Sequence, residues 1–396
     1  MEASNQTAKT EKLWTPSFVA LNFILLLNFS NMSVFFQFNS YLKGLGMGQS
    51  NIGLVLGLFS LAALVVRPFI SPFLQPSNAR RWIFWGVLGT VACLLSYNLA
   101  HSFAALTVLR LAHGSFYVLM AAAAMSALTG CIPPSHSGQA FGVVGVVVLL
   151  PFALVPPLLP TLERLLGGYL AVLTVTTIPV AGILLLLPLI RPVHAERGGA
   201  YAFNRRELAA NLKHPMILSL MGLSLVMYSA FSILFYYIGD FGKGLSLAAP
   251  GLFFTLSSAA EIAIRLGLGS YLDRVSKKGA MVLSLGVLAG AYLALPHVHH
   301  PGFFFGLAVV FGLAWGVLVP SVSALIFNIS EPRFRALNTN LGFEMMQGGY
   351  FIGPFLGGVL LEATDYGVLF TACAGVCLLG LVLVVMASGW KKPTAE

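Results

Sequence analysis

The sequence predicts an all-α integral membrane protein, with twelve transmembrane helices arranged as two pseudo-symmetric six-helix bundles. Three observations carry that prediction. The chain of 396 residues is 58% hydrophobic and only 9% charged. Its apolar residues gather into twelve runs, each near the ~20 residues that a membrane-crossing helix requires. A polar interruption at mid-chain then separates six runs from six, and short patterns recur in the two parts at a spacing of 198 residues. A repeat at half the chain length is a common plan for secondary transporters, with the substrate site between the repeats.

The runs cover approximately 16–42, 51–74, 82–100, 103–130, 139–160, 168–190, 215–239, 250–272, 279–296, 302–328, 338–361 and 366–389. Open sheet edges cannot be satisfied in lipid, so runs of this kind must be helices. The alternating pattern of a membrane β-barrel is absent. The first run follows a polar lead with no cleavage signature and reads as an uncleaved signal-anchor. The second closes on RPFISPFLQPSNARR, the fourth holds Arg110 and His113, and the sixth ends at the polar stretch 191–214. Within that stretch GGA reads as flexible and NRRELAANLK as a short surface helix. The eighth run carries Glu261 and Arg265, the tenth Trp315 and the eleventh Glu344. The expected organisation is therefore a bundle over 1–190, a cytoplasmic linker over 191–214 and a second bundle over 215–396. The loops are too short to hold a catalytic domain, which argues against an enzyme.

The net charge of +9 is topological rather than a phosphate-binding face. With both termini cytoplasmic, sixteen of the 22 Lys and Arg fall on the cytoplasmic side, and only Lys43, Arg164 and Lys243 on the other. That bias fixes the orientation in a bacterial-type inner (plasma) membrane. Cys93, Cys131, Cys373 and Cys377 all lie in or at the ends of runs and read as small core residues. His297, His299 and His300 cluster in a loop without a Cys or carboxylate neighbour, so no metal site is expected. No nucleotide-binding motif appears, and no cofactor or nucleic-acid partner is expected.

The residues that a bilayer should reject are Arg67, Arg110, Glu261, Arg265 and Glu344. Each costs ~2.5–3.5 kcal/mol at the middle of a membrane helix unless it meets a partner or a wet cavity. Arg110, His113 and Tyr117 share one helical face. Glu261 and Arg265 stand four apart and can neutralise each other. Glu344 has no partner on its own helix; Asn340 and Gln347 flank it on the same face. Glu344 and Glu261 are the only acids inside the runs as bounded here, which makes them the candidate proton carriers.

Several motifs resemble the major facilitator superfamily, over essentially the whole chain. Gly269-Ser-Tyr-Leu-Asp273-Arg274 with Lys277 and Lys278 is similar to the loop motif that follows helices 2 and 8 in that family. The first-half copy, which begins at Arg67, has lost its acid: Ser71 and Gln75 stand where Gly and Asp are expected. Arg110-Leu-Ala-His113-Gly114 resembles the helix 4 motif R-x-x-x-G, whose Arg is linked to proton coupling in export members. Gly349-Tyr-Phe-Ile-Gly353-Pro354-Phe-Leu-Gly357-Gly358 matches the G-x-x-x-G-P-x-x-G-G antiporter motif, but on helix 11 rather than its symmetry mate helix 5. A helix-packing role is the stronger reading at that position.

The resemblance implies that helices 1, 4, 7 and 10 line a central cavity. That makes Asn28, Asn31, Gln37, Arg110, Tyr117, Tyr228 and Trp315 candidate substrate contacts, with Asn340 and Gln347. Arg110, His113, Glu261 and Glu344 become candidates for proton coupling. The function expected is alternating-access transport of a small organic solute, amphipathic or anionic, by proton-coupled efflux from a monomer in contact with lipid. Symport of a small carboxylate or sugar-like solute, a lipid flippase, an integral-membrane enzyme and a transport-dead sensor are the alternatives. Competition of proton and solute for Glu344 would mark antiport; protonation that promotes solute binding would mark symport.

Overall fold

The computed structural model describes residues 12–133, 136–191, 205–274 and 276–388; the side chains of 137, 138, 205, 268–274, 332, 336, 387 and 388 lie outside that description. The first half contributes α1 (Pro16–Val34, continuing through a 3-10 turn at Phe35–Gln37 into Phe38–Gly44), α2 (Gln49–Ile70), α3 (Ala79–Ser96), α4 (Phe103–Gly130), α5 (Ser137–Leu166) and α6 (Tyr169–Leu186). The second half contributes α7 (Pro215–Gly244), α8 (Leu252–Arg274), α9 (Lys277–Ala294), α10 (Pro301–Ile329), α11 (Arg335–Ala363) and α12 (Tyr366–Ser388). A short helix, Arg205–Leu212, precedes α7 where the sequence placed a surface helix.

Among the described residues, nine helices are long and apolar enough to cross a membrane. The other three are α3, α8 and α11. They coincide with expected runs, but α3 begins on Arg80 and Arg81, α8 carries Glu261 and Arg265, and α11 carries Asn338, Asn340, Glu344 and Gln347. Helix starts follow local chemistry. Thr15 accepts from the Phe18 amide ahead of Pro16, and Ser102 accepts from the Ala105 amide at the start of α4. Two glycines in a row at positive φ, Gly167 and Gly168, turn the chain from α5 into α6.

The 198-residue repeat reappears as paired contacts in space. Gly114 of α4 lies on the Phe59 carbonyl of α2, and Gly312 of α10 lies on the Ser257 carbonyl of α8. Both members of the second contact are the first shifted by 198. Between the halves, Gly53 of α2 lies on the Pro354 carbonyl of α11, and Gly251 lies on the Pro156 backbone of α5, again related by 198. At each of these four glycines a Cβ would overlap backbone, so only a bare Cα permits the approach. The halves therefore meet along two equivalent seams, α2 with α11 and α8 with α5.

The start of α1 and the end of α6 share one face, where the Ser17 hydroxyl donates to the Leu189 carbonyl at 2.9 Å and accepts from the Arg191 amide at 2.9 Å. We call this the terminal face and its opposite the far face. The glycine seams lie in the far half. So does a hydrogen bond of 2.6 Å from the Thr255 hydroxyl to the Ala153 carbonyl across the α8–α5 seam. Pro157 explains why that carbonyl is available: it has no amide to close the helical bond four residues back. The Ser50 amide donates to Glu362 at 2.8 Å across the other seam. Closure is concentrated at the far face.

Gly114→Ala and Gly312→Ala should each lower stability by about 1–3 kcal/mol through overpacking. Gly286→Ala, a position with open space on α9, should not. Melting temperatures of the purified variants check this; equal melting of all three would contradict the close backbone approach described within each half.

Candidate functional site

The rejected charges have three different solutions. Arg67 of α2 reaches across the halves, its Nε 3.5 Å from Glu344 Oε1 on α11, with its guanidinium 5.7 Å from the Phe343 ring. Both side chains are only partly buried, and Glu344 Oε2 is enclosed without a hydrogen-bond partner. The acid that lacked a partner on its own helix thus finds one on the opposite half. Arg265, the 198-residue mate of Arg67, instead pairs with Glu261 one turn back on α8. Its Nη1 faces α5 at Gly145, 3.9 Å from where a Cβ would stand. The two pairs thus occupy equivalent seams, but only one of them links the halves.

Arg110 is 1% exposed and lies in the interior, with Tyr236 of the second half facing it. Its Nε and Nη2 donate to the Val55 and Leu56 carbonyls of α2, each at 3.2 Å. The guanidinium lies 4.6 Å from the Phe35 and Phe59 ring centres and 5.2 Å from Phe38. Cation–π contacts and carbonyl bonds replace water around the charge. His113 is fully buried one turn on, with Nε2 3.1 Å from Asn31 Nδ2 and Nδ1 3.4 Å from the Tyr97 hydroxyl. The Tyr117 hydroxyl donates to the Met32 sulfur at 3.6 Å. The face Arg110–His113–Tyr117 meets α1, α2 and Tyr97 just past α3, and Tyr236 of α7, on the second half, faces Arg110 as well. Asn28 is buried with neither amide atom partnered.

In the second half, Tyr228 and Phe231 of α7 pack on Trp315 of α10 at 5.5 and 4.8 Å and on Tyr350 of α11 at 6.1 and 6.0 Å. The Trp315 Nε1 is buried without a partner. A cleft beside Tyr228, between α7, α10 and α11, is lined by Ser224, Ser323, Thr339 and Phe343. Gln347, one turn from Glu344, is buried, whereas Asn340 is exposed. Gln37 lies at the other end, in the 3-10 turn of α1, where its amide reaches Glu163 at 3.0 Å.

The glycine motif of α11 is a packing device on two sides. Gly349 and Gly353 receive the Leu225 and Ser229 backbone of α7, and Gly358 receives the Gln49 carbonyl of α2. Gly357 admits Ile233 and Tyr237, and the Pro354 carbonyl accepts from the Tyr237 hydroxyl at 2.9 Å. Of the loop motif, Gly269, Asp273 and Arg274 end α8, and their side chains lie outside the described residues. In the degraded first copy, Asn78 ties the loop instead, accepting from the Gln75 amide at 3.0 Å and donating to the Phe73 carbonyl at 2.8 Å.

The expectation that Glu261 and Glu344 are the only acids within the spans needs correcting. Helices α5 and α7 continue past their apolar runs to Leu166 and Gly244, which brings Glu163 and Asp240 inside helices. Asp240 takes partners from α1, about 200 residues earlier; the sequence hint was its position beside Lys243, on the side otherwise poor in cations.

The sequence profile of the Major Facilitator Superfamily matches residues 18–337 and 244–396. The chain belongs to this superfamily. It is a multi-pass membrane protein of transporter family and fold, and such proteins are generally not enzymes. It is 23% identical over 368 residues to the uncharacterized MFS-type transporter YuxJ of Bacillus subtilis (strain 168), covering 88% of this chain and 92% of that one. It is 24% identical over 181 residues to the quinolone resistance protein NorA of Staphylococcus aureus, 46% of this chain and 45% of that one. The fold superposes on the nucleoside transporter NupG with a TM-score of 0.77 at 14% identity, covering 94% and 99%. A bacterial homologue of the human lysosomal transporter Spinster, inward-facing and occupied, gives 0.75 at 15%, covering 95% and 98%.

Arg110→Lys should cost about 1–3 kcal/mol of stability, since a single ammonium cannot reproduce a planar group that bonds two carbonyls while contacting three rings. Thermal unfolding in detergent checks this; unchanged melting would mean that the guanidinium cage contributes nothing to the first half.

Proposed function

We propose that the chain is a secondary active transporter that moves a small organic solute across the inner membrane by alternating access, as proton-coupled efflux. In this reading 1–190 and 215–396 are the moving bodies, 191–214 joins them, both termini are cytoplasmic, and a monomer suffices. The terminal face is then cytoplasmic, and the far-face closure corresponds to an inward-facing state. No catalysis enters.

The observation that carries this reading is the Arg67–Glu344 pair. It joins the two halves at the less tightly closed end of a seam, and it leaves one carboxylate oxygen without a donor. A proton arriving on Glu344 cancels the attraction and releases α2 from α11 at that end. An acid whose charge state decides whether two bodies stay joined is what coupling a gradient to rocking requires. The 24% identity to NorA over half of each chain supports the efflux direction over symport.

The aromatic group Tyr228, Phe231, Trp315 and Tyr350 beside a cleft with three hydroxyl residues favours an amphipathic, ring-bearing solute. Arg110 gives less support to an anionic solute, because two of its nitrogens already donate to carbonyls, three rings crowd it, and only the buried Nη1 lacks a bond. Asn28, Asn31 and Tyr117 remain candidates on the first-half side, with Gln347 beside Glu344.

Reconstitution in vesicles with an imposed pH gradient, screened against amphipathic solutes, tests the proposal. Solute movement should follow the gradient. Glu344→Gln and Arg67→Gln should each reduce gradient-driven movement by about tenfold or more, with protein levels unchanged in the membrane. Unaltered movement in Glu344→Gln would remove the coupling role.

A further inference from the structure

We infer that Asp240 is a positioning residue for transport: its carboxylate holds a hinged tip of α1 against the second half and keeps the far face shut. This goes beyond the proposed function by assigning the far-side gate. It rests on the alternating access of that proposal, but not on the solute or the proton.

Three independent observations converge on it. The first is the bonding of the carboxylate. Asn39 Nδ2 donates to Asp240 Oδ2 at 2.8 Å, the Ser40 hydroxyl donates to Oδ1, and Lys43 Nζ lies 2.9 Å from Oδ2. All three donors stand on α1, on the opposite half from Asp240. Lys43 also donates to the Tyr366 hydroxyl at 3.1 Å, and Lys243 Nζ donates to the Ser40 hydroxyl at 2.8 Å. Lys243 is itself 4.0 Å from Oδ1 and 46% exposed, so water screens most of its attraction. The donors on α1 carry the contact, because the Asp240 side chain is only 11% exposed.

The second observation is the break in α1. All three donors lie on Phe38–Gly44, beyond the 3-10 turn at Phe35–Gln37. A 3-10 stretch inside a helix often marks a hinge. Just before it, the Ser33 hydroxyl bonds back to the Phe29 carbonyl at 3.0 Å, a contact that bends helices. The third observation is the plug beneath the tip. Phe36 packs across the halves on Phe235 and Phe254 at 5.8 and 5.7 Å. Gly239, beside Asp240, has its Phe36-facing side bare; a Cβ there would come within 3.0 Å of the ring. Releasing the tip frees the plug.

The test is the distance between spin labels on exposed far-face loops of the two halves, at Leu99→Cys and His299→Cys, in a Cys131→Ala background of the full chain. Asp240→Asn should raise the ratio of separated to closed far faces by about tenfold, the scale of a lost charge-assisted bond. Asp240→Glu, which keeps the charge, should recover at least part of the closed population. An unchanged distribution in Asp240→Asn, or equal opening in the Asn and Glu variants, would overturn the inference. If Asp240→Asn does not accumulate, the Ser40→Ala, Lys43→Gln double variant takes its place, with opening expected and no opening overturning the assignment. No solute enters the measurement, so a failed transport assay and a failed gate are distinguishable.

Discussion

How closely the halves can approach is set by bare Cα atoms on backbone, Gly53 on Pro354 and Gly251 on Pro156. Such contacts put four helices within backbone reach in the far half of the molecule. Because helices are stiff rods, that approach also fixes where their other ends lie. Arg67 and Glu344 sit on the same two helices as Gly53 and Pro354, several turns away, at a separation that permits an ion pair but leaves both groups partly wet. Steric closeness at one end and electrostatics at the other are thus two ends of one lever.

The internal symmetry makes the asymmetries informative. Arg67 and Arg265 are equivalent by position, yet one binds an acid of the other half and the other an acid of its own helix. Separating the halves breaks the first pair and leaves the second intact. The Arg110 position has no charged mate at all, since Ala308 stands 198 residues on. Its charge is absorbed by α2 carbonyls and three rings, which stiffens the first half as a unit. This cation is bonded mainly within its own bundle, with Nη1 left unbonded, whereas the Arg67 ion pair spans two bundles.

Much of the architecture could be read from residue order, because a bilayer leaves few options. Run lengths located the helices, and the spacing of Arg67 and Arg265 exposed the repeat. The partners were another matter. Glu344 announced itself by having no counter-ion nearby in sequence, but nothing local says that the counter-ion is Arg67. Arg110 looked like a ligand for substrate because its acceptors are main-chain carbonyls, which every residue possesses and no pattern marks. Asp240 escaped notice because α7 outruns its apolar stretch by one turn, and its bonding partners come from the other repeat. The glycines of α11 read as packing residues because small residues at that spacing favour close approach, and the α7 and α2 backbones lie against them.

The Thr255–Ala153 bond has an implication for hydration. Pro157 leaves the Ala153 carbonyl without its helical donor, and a hydroxyl from the opposite half supplies the substitute. Pulling α8 away from α5 strands that oxygen. Hydrocarbon offers nothing in exchange, and an orphaned carbonyl in lipid is costly. When this groove parts, it must therefore fill from the aqueous side, and an intruding acyl tail would meet a dipole it cannot satisfy. One proline nitrogen thus biases which solvent enters the parted groove.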